Sequence, residues 1–196
     1  HRNFHQGIYV RSKGGEGALI TITNNQILNN LGYGIYSIDD QDHWTISSNL
    51  IAGNKTYGIY LNDSYAASVT ISSNIISANQ FGSRFGYIKG NFLMTGNTVT
   101  SHQGEAVNYY NWTGQSNQIT ISKNTISSNK GGISGIFIEF NGNSNPLVQD
   151  NIITDGVGYG LYIRNDSQTV HPVIRGNVVK NNGNVGIRMV NKVAPN

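Results

Sequence analysis

Residues 44–61 read WTISSNLIAGNKTYGIYL, and residues 69–80 repeat the phrase as VTISSNIISANQ. The asparagine that follows Thr-Ile-Ser-Ser in both stretches recurs along the chain as Asn25, Asn49, Asn74, Asn97, Asn124, Asn151 and Asn177. The intervals are 24, 25, 23, 27, 27 and 26 residues. Self-similarity at a near-constant period of this length marks a repeat architecture.

Each repeat holds three short apolar patches. The first is Thr-Ile before the asparagine: Thr21-Ile22, Thr45-Ile46, Thr70-Ile71 and Thr120-Ile121. The second is the aliphatic residue two positions after it: Ile27, Ile51, Ile76, Val99, Ile126, Ile153 and Val179. The third is a Gly-Ile-Tyr patch, as in Gly34-Ile35-Tyr36, Gly58-Ile59-Tyr60 and Gly160-Leu161-Tyr162, with a partial copy at Gly7-Ile8-Tyr9. Apolar and polar residues alternate within the patches, which is strand periodicity. Gly and Asn between them suit the positive φ of turns. Three short strands in each turn of chain predict a parallel β-helix of about seven coils, in which each strand pairs with its equivalent one coil on. One coil alone cannot bury its apolar face, whereas a stack can. The recurring asparagine then has a structural role, since its amide can bond the amides of the coils on either side. A second column follows five residues later at Asn30, Asn54, Asn79, Asn129 and Asn182, broken by His102 and Gly156. His102 reads as a substitute within that column rather than as a catalyst.

Composition agrees with this reading and narrows the rest. The chain has 196 residues, of which 12% are charged. β-Branched residues dominate its apolar positions, and helix formers are few. No apolar run approaches the ~18 residues of a membrane span. There is no cysteine, so a disulfide framework is excluded. The net charge of +3 is a mild pull toward anionic partners. The 13 Lys and Arg residues are scattered, which argues against a nucleic-acid partner. The chain starts at His1 and in mid-coil at Gly7-Ile8-Tyr9. It reads as a mature or excised segment, a single domain over 1–196, whose open ends flanking domains or a partner chain would cover.

The phrase T-I-x-x-N-x-I-x-x-N-x-x-x-G-I-Y resembles the repeat of the right-handed parallel β-helix family, the pectate-lyase-like superfamily, over residues 5–191. The resemblance implies that the asparagine turn joins the second and third sheets. It also implies that the Gly-Ile-Tyr strands form the first sheet, the usual substrate-facing one. No catalytic signature of any one enzyme class in that family matches, and fold alone does not fix activity.

Alternation places Ile59 and Leu61 inward, so Tyr60 and Asn62 point out. Stacking the repeats predicts an outward column of Tyr9, Tyr36, Tyr60, Tyr87, Asn108, Phe137, Tyr162 and Arg188. Such a row is either a platform for sugar rings or a set of stacking pairs that stabilise an exposed sheet. A second outward column is expected at Arg11, Ile38, Asn62, Lys89, Tyr110, Glu139 and Arg164. The loops beyond it carry Glu16, Asp39, Asp40, Asp42, Asp63, Glu139 and Asp166, seven of the ten acidic residues. His43, Tyr65, Tyr109, Tyr110, Trp112 and His171 join them at the same corner. Insertions along one edge of a solenoid commonly build its binding face.

Two chemistries fit these groups. A polysaccharide lyase needs a cation for the uronate carboxylate and a base for the α-proton, for which Lys89, Arg164, Tyr110 and His43 qualify. A glycoside hydrolase needs two carboxylates, for which Glu139 and Asp166 qualify. The plainer alternative for Glu139 and Arg164 is a salt bridge between coils. Asp39, Asp40 and Asp42 offer oxygen ligands for Ca²⁺, but the segment lacks the Gly turn and distal Glu of an EF-hand loop. No cofactor is therefore expected. The sequence expectation is an extracellular or cell-surface β-helix that recognises an acidic polysaccharide, with cleavage left open. A non-catalytic structural or adhesive solenoid, part of a larger surface protein or tail fibre, is the alternative.

Overall fold

A computed structural model of the chain describes residues 3, 5–11, 17–38, 41–62, 66–112, 114, 117–142, 144–166 and 170–191. Among these are 22 strands and no helix, arranged as three parallel sheets around about seven coils. The Gly-Ile-Tyr patches form the first sheet, in the order β1 (Ile8–Val10), β4 (Ile35–Ile38), β7 (Tyr57–Asn62), β10 (Phe81–Gly86), β13 (Val107–Asn111), β16 (Ser134–Phe140), β19 (Tyr159–Asn165) and β22 (Ile187–Asn191). The Thr-Ile patches form the second: β2 (Leu19–Thr23), β5 (His43–Ser47), β8 (Ser68–Ser72), β11 (Asn91–Thr95), β14 (Ile119–Ser122), β17 (Leu147–Gln149) and β20 (Val173–Arg175). The aliphatic positions form the third: β3 (Gln26–Leu28), β6 (Leu50–Ala52), β9 (Ile75–Ser77), β12 (Thr98–Thr100), β15 (Thr125–Ser127), β18 (Ile152–Thr154) and β21 (Val178–Lys180).

Register is uniform because the inward columns cannot slip. Ile27, Ile51, Ile76, Val99, Ile126, Ile153 and Val179 are successive partners in the third sheet. Ile46, Ile71, Met94, Ile121 and Val148 line the second sheet in the same way. All of these except Val179, which is half-buried near the last coil, are in the core. A slip of one residue would turn each column outward. Burial of one such side chain contributes about 1.5–3 kcal/mol, so stacking seven coils sums many like terms.

The asparagine column sits at the turn between the second and third sheets, as the family resemblance implied. Asn49 shows the pattern: its Nδ2 donates to Asn74 Oδ1 at 3.0 Å and to the Ile22 carbonyl at 2.9 Å, while Asn25 Nδ2 donates to its Oδ1 at 3.1 Å. The chain of amides continues unbroken through Asn74, Asn97, Asn124, Asn151 and Asn177. The positive φ lies one residue earlier than the ladder asparagine. It falls on Asn24, Ser48, Ser73, Lys123 and Asp150 at 55–57°, with glycine at positions 96 and 176. A left-handed backbone costs a non-glycine residue about 1 kcal/mol, and the buried amide bonds that follow hold it there.

The glycine of Gly-Ile-Tyr is fixed by space rather than by φ. A Cβ on Gly58 would sit 2.8 Å from both Asn79 Nδ2 and Ile76 Cγ2. On Gly34 it would meet Ile51 Cγ2 at 2.7 Å, and on Gly160 it would meet Val179 Cγ1 at 2.3 Å. The first sheet therefore lies directly against the second asparagine column and the third-sheet aliphatics. That close approach delivers the tyrosine two residues later to the outer surface.

Candidate functional site

The outer face of the first sheet carries an aromatic cluster in two columns. Tyr9, Tyr36 and Tyr60 are successive partners in β1, β4 and β7, with ring centroids 5.5 and 5.6 Å apart. A second column, which the sequence reading missed, stands three residues earlier at Tyr33, Tyr57 and Phe81. Its rings stack at 6.3 and 4.7 Å and also pack against the first column, Tyr33 on Tyr36 at 4.5 Å and Tyr57 on Tyr60 at 5.2 Å. The signal was present in the sequence: an aromatic residue directly precedes the glycine in Tyr33-Gly34, Tyr57-Gly58, Phe81-Gly82 and Tyr159-Gly160.

Tyr87 does not belong to the outward column. The residue paired with Tyr60 and with Asn108 is Arg84. Phe81-Gly82-Ser83-Arg84 fills the Gly-Ile-Tyr position, and Tyr87 lies beyond the strand with a φ of 58°. Its ring still reaches the cluster, edge-on to Tyr110 at 5.3 Å. Lys89 is displaced by the same three residues. Gly86 pairs with Tyr110 in the second outward column, and Lys89 is an exposed residue of the loop that follows. Gly86 is needed there, since a Cβ would come within 2.5 Å of the Tyr110 hydroxyl and of Asn62 Oδ1.

Arg84 is thus the cation among the tyrosines of the first coils. Its guanidinium carbon lies 4.8 Å from the Tyr110 ring centre and 6.0 Å from that of Tyr60. Burial works against its charge, but hydrogen bonds to the Tyr57 and Tyr110 hydroxyls outweigh it and hold the pKa above the ordinary arginine value. Burial also pushes the Tyr60 hydroxyl up to about 12, with Arg84 pulling the other way. Tyr60 therefore keeps its proton at neutral pH and remains a hydrogen-bond donor.

Farther along the column come Asn108, Phe137, Tyr162 and Arg188, in the predicted register. Asn108 and Phe137 are each only 8% exposed, and Asn108 Nδ2 donates to Glu105 Oε2 at 2.6 Å. Phe137, expected to contact a ligand, is instead enclosed in the column with Asn108 and Tyr162 as its neighbours. Tyr162 is half-exposed, packs on Phe137 at 5.2 Å and on Tyr159 at 5.3 Å, and carries the Arg188 guanidinium at 5.2 Å.

The second outward column brings Tyr110, Glu139 and Arg164 onto adjacent strands. Arg164 Nη1 lies 2.9 Å from Glu139 Oε1, and its Nε lies 3.8 Å from Asp166 Oδ1. The arginine thus stands between the two carboxylates proposed for hydrolysis. Trp112, just past β13, is 41% exposed, and its carbonyl accepts a bond from Asn141 Nδ2 at 3.1 Å.

Three corner residues behave differently from the loop groups expected. Tyr109 points into the core, paired with Phe85 and Ile138, and Asn117 Nδ2 donates to its hydroxyl at 2.9 Å. Asp42 is fully buried, and its Oδ1 accepts the Ala18 amide at 3.1 Å. His43 opens β5 on the second sheet, with Nδ1 2.8 Å from Ser68 Oγ. Glu16, Asp39, Asp40, Asp63 and Tyr65 lie outside the described residues. No cluster of three or more metal-ligating side chains occurs among the described residues, and no helix there is long and apolar enough to cross a membrane.

The chain matches the family model described as a right handed beta helix region, over residues 1–117 and again over 112–195. No curated protein matches it, and no solved structure does. The two matched stretches together span almost the whole chain, and they agree with the coil order and ladder described above: the protein belongs to the right-handed β-helix family.

Proposed function

We propose that this β-helix recognises an extracellular polysaccharide along the aromatic face of its first sheet. The observation that carries this reading is the continuous row of Tyr9, Tyr36, Tyr60 and Arg84, flanked by Tyr33, Tyr57 and Phe81. Sugar rings present apolar faces that stack on tyrosines while their hydroxyls meet the phenols. A flat row with one ring per coil suits an extended chain better than a compact ligand. Arg84 and the net positive charge favour an acidic glycan.

Binding stands ahead of cleavage in this reading. Arg164 stands between Glu139 and Asp166, at 2.9 and 3.8 Å, so both carboxylates face its guanidinium. Arg164, engaged by both, is correspondingly less available to neutralise a substrate carboxylate.

The test is retardation of the chain in gels containing acidic or neutral polysaccharides, with parallel assays for unsaturated uronate products and new reducing ends. Retardation without products supports recognition alone. Tyr36→Ala, Tyr60→Ala and Tyr162→Ala are each expected to weaken binding roughly 5- to 150-fold, the range of about 1–3 kcal/mol for a stacked ring, with melting temperatures close to the parent's. Unchanged retardation in all three would remove the platform. The aromatic columns would then serve only to stabilise the sheet, as in a structural or adhesive solenoid.

A further inference from the structure

The same three-residue device occurs twice on the first sheet. Tyr57-Gly58-Ile59-Tyr60 is followed one coil on by Phe81-Gly82-Ser83-Arg84. Tyr159-Gly160-Leu161-Tyr162 is followed one coil on by Val185-Gly186-Ile187-Arg188. Arg84 pairs in register with Tyr60, and Arg188 pairs with Tyr162. Arg188 donates to the hydroxyl of the tyrosine that precedes the glycine, Tyr159, and the corresponding Tyr57 hydroxyl favours the charge of Arg84. Each guanidinium also faces the outward tyrosine, 6.0 Å from the Tyr60 centroid and 5.2 Å from the Tyr162 centroid. Tyr110 adds a second ring to Arg84 at 4.8 Å, and Tyr159 adds one to Arg188 at 5.1 Å.

Neither arginine has a carboxylate partner among the described residues, where the ion pairs found belong to Arg164. Arg84 Nε is buried and has no hydrogen-bond partner. A guanidinium packed against tyrosine rings has less freedom to lose on binding than an unpacked side chain, and its fork suits planar anions. Counted along the column, 84, 108, 137, 162 and 188, the two devices are four coils apart. At ~4.8 Å per coil that is roughly 19 Å.

We propose that Arg84 and Arg188 are two equivalent anion-reading subsites that grip one acidic polysaccharide chain at two points along the helix axis. This rests on the glycan reading above and adds to it a charge requirement and a length requirement. The buried pair Asn108 and Phe137 leaves the column between the arginines without a cation, so the chain is held at its two anionic contacts and passes over the middle. The anionic group is a carboxylate or a sulfate, since either accepts the guanidinium fork.

The test is calorimetric titration of the full chain with uronate oligosaccharides of increasing length, with a sulfated polysaccharide and a neutral glucan as the other arms. Oligomers too short to span both arginines are expected to bind weakly. Affinity should then rise by about 10²-fold or more at the length that spans them, because the second contact becomes intramolecular. Arg84→Gln and Arg188→Gln should each abolish that step, and the double variant should also flatten the salt dependence. Arg84→Lys keeps the charge without the fork and should retain part of the step, which separates anion reading from folding. The sulfated arm rising in the same way would assign the sites to either anion, and a rise with uronates alone would assign them to carboxylates. Neutral glucan binding as tightly as uronate, or a length step that survives both Gln variants, would overturn the twin subsites. If the tyrosine variants still weakened binding in that case, the platform would stand without them. If no arm bound at all, the glycan reading itself would fall.

Discussion

The two asparagine columns occupy neighbouring turns and differ in how strictly they are kept. The first, Asn25 to Asn177, is unbroken over seven coils. The second, Asn30 to Asn182, carries a histidine at position 102 and a glycine at 156. His102 shows what the position requires. Its Nδ1 lies 3.2 Å from the Asn79 amide nitrogen, and its Nε2 lies 3.1 Å from the Ile76 carbonyl. In the coil before, Asn79 Nδ2 donates to the Ile51 carbonyl at 3.0 Å, and its Oδ1 accepts the Asn54 amide at 2.9 Å. Neutral imidazole with its proton on Nε2 therefore reproduces one acceptor and one donor of the amide. What it lacks is the second amide hydrogen, the one that reaches the next amide. The column tolerates a weaker link, whereas the first column shows none.

That difference breaks most readily at the first column. Asn74 accepts from both the amide and Nδ2 of Asn49, and donates to the Ile46 carbonyl and Asn97 Oδ1, at 2.8–3.0 Å. Asn74→Ala removes four buried bonds and strands their partners. At about 1 kcal/mol per bond, the loss is expected to be roughly 4 kcal/mol in urea unfolding. A loss under about 1 kcal/mol would mean that the ladder merely accompanies the stack.

The second column breaks with acid. Burial lowers the His102 pKa from its ordinary 6.5 to about 4, against the pull of the Asn79 and Ile76 backbone groups. The folded chain thus binds this proton less readily than the unfolded chain. The neutral ring's contribution is complete above pH 6.5 and is lost progressively as pH falls through that value toward 4. The shift corresponds to roughly 3 kcal/mol once both forms are protonated. His102→Asn replaces the titrating ring by the amide of the neighbouring coils. The melting temperature of the variant should exceed the parent's by an amount that grows from pH 7 to pH 4. Parallel curves would show that His102 does not govern the acid limb.

The same contrast explains how far the sequence could be read. The ladder, the three sheets and the inward columns were legible because coil length varies little where every residue is constrained by its stacked equivalent. The outward columns were legible wherever the glycine stands four residues after the second-column position, as from Asn30 to Gly34 or from Asn54 to Gly58. Between Asn79 and Gly82 the interval is three, and a second glycine at 86 offers a false register. Tyr87 and Lys89, the residues expected to point outward in this coil, lie three positions beyond Arg84 and Gly86, which hold those places. Phe81 would have resolved the choice, because an aromatic residue precedes the glycine in Tyr33-Gly34, Tyr57-Gly58 and Tyr159-Gly160. The inward turn of Tyr109 follows from its alternation with Tyr110. The enclosure of Phe137 depends on neighbouring coils, which no local pattern reports.

Gly156 offers the gentlest test of the second column. Its amide already donates to Asn182 Oδ1 at 3.1 Å, so the backbone sits where a ladder residue would sit. Its φ is not in the left-handed region, and an added Cβ would meet only Asn182 Oδ1, at 3.1 Å. Gly156→Asn would place an acceptor beside the Asn129 amide and a donor toward the Ile126 carbonyl, by analogy with Asn79. Replacing glycine also reduces the freedom of the unfolded chain, a gain of about 0.4–1 kcal/mol. The tight Cβ contact consumes part of it, so the expected result is a rise in melting temperature of a few degrees at most. A fall would mean that the column is open here because Asn182 cannot yield a few tenths of an ångström. Position 156 would then mark a coil whose width, rather than its hydrogen bonding, selects the residue.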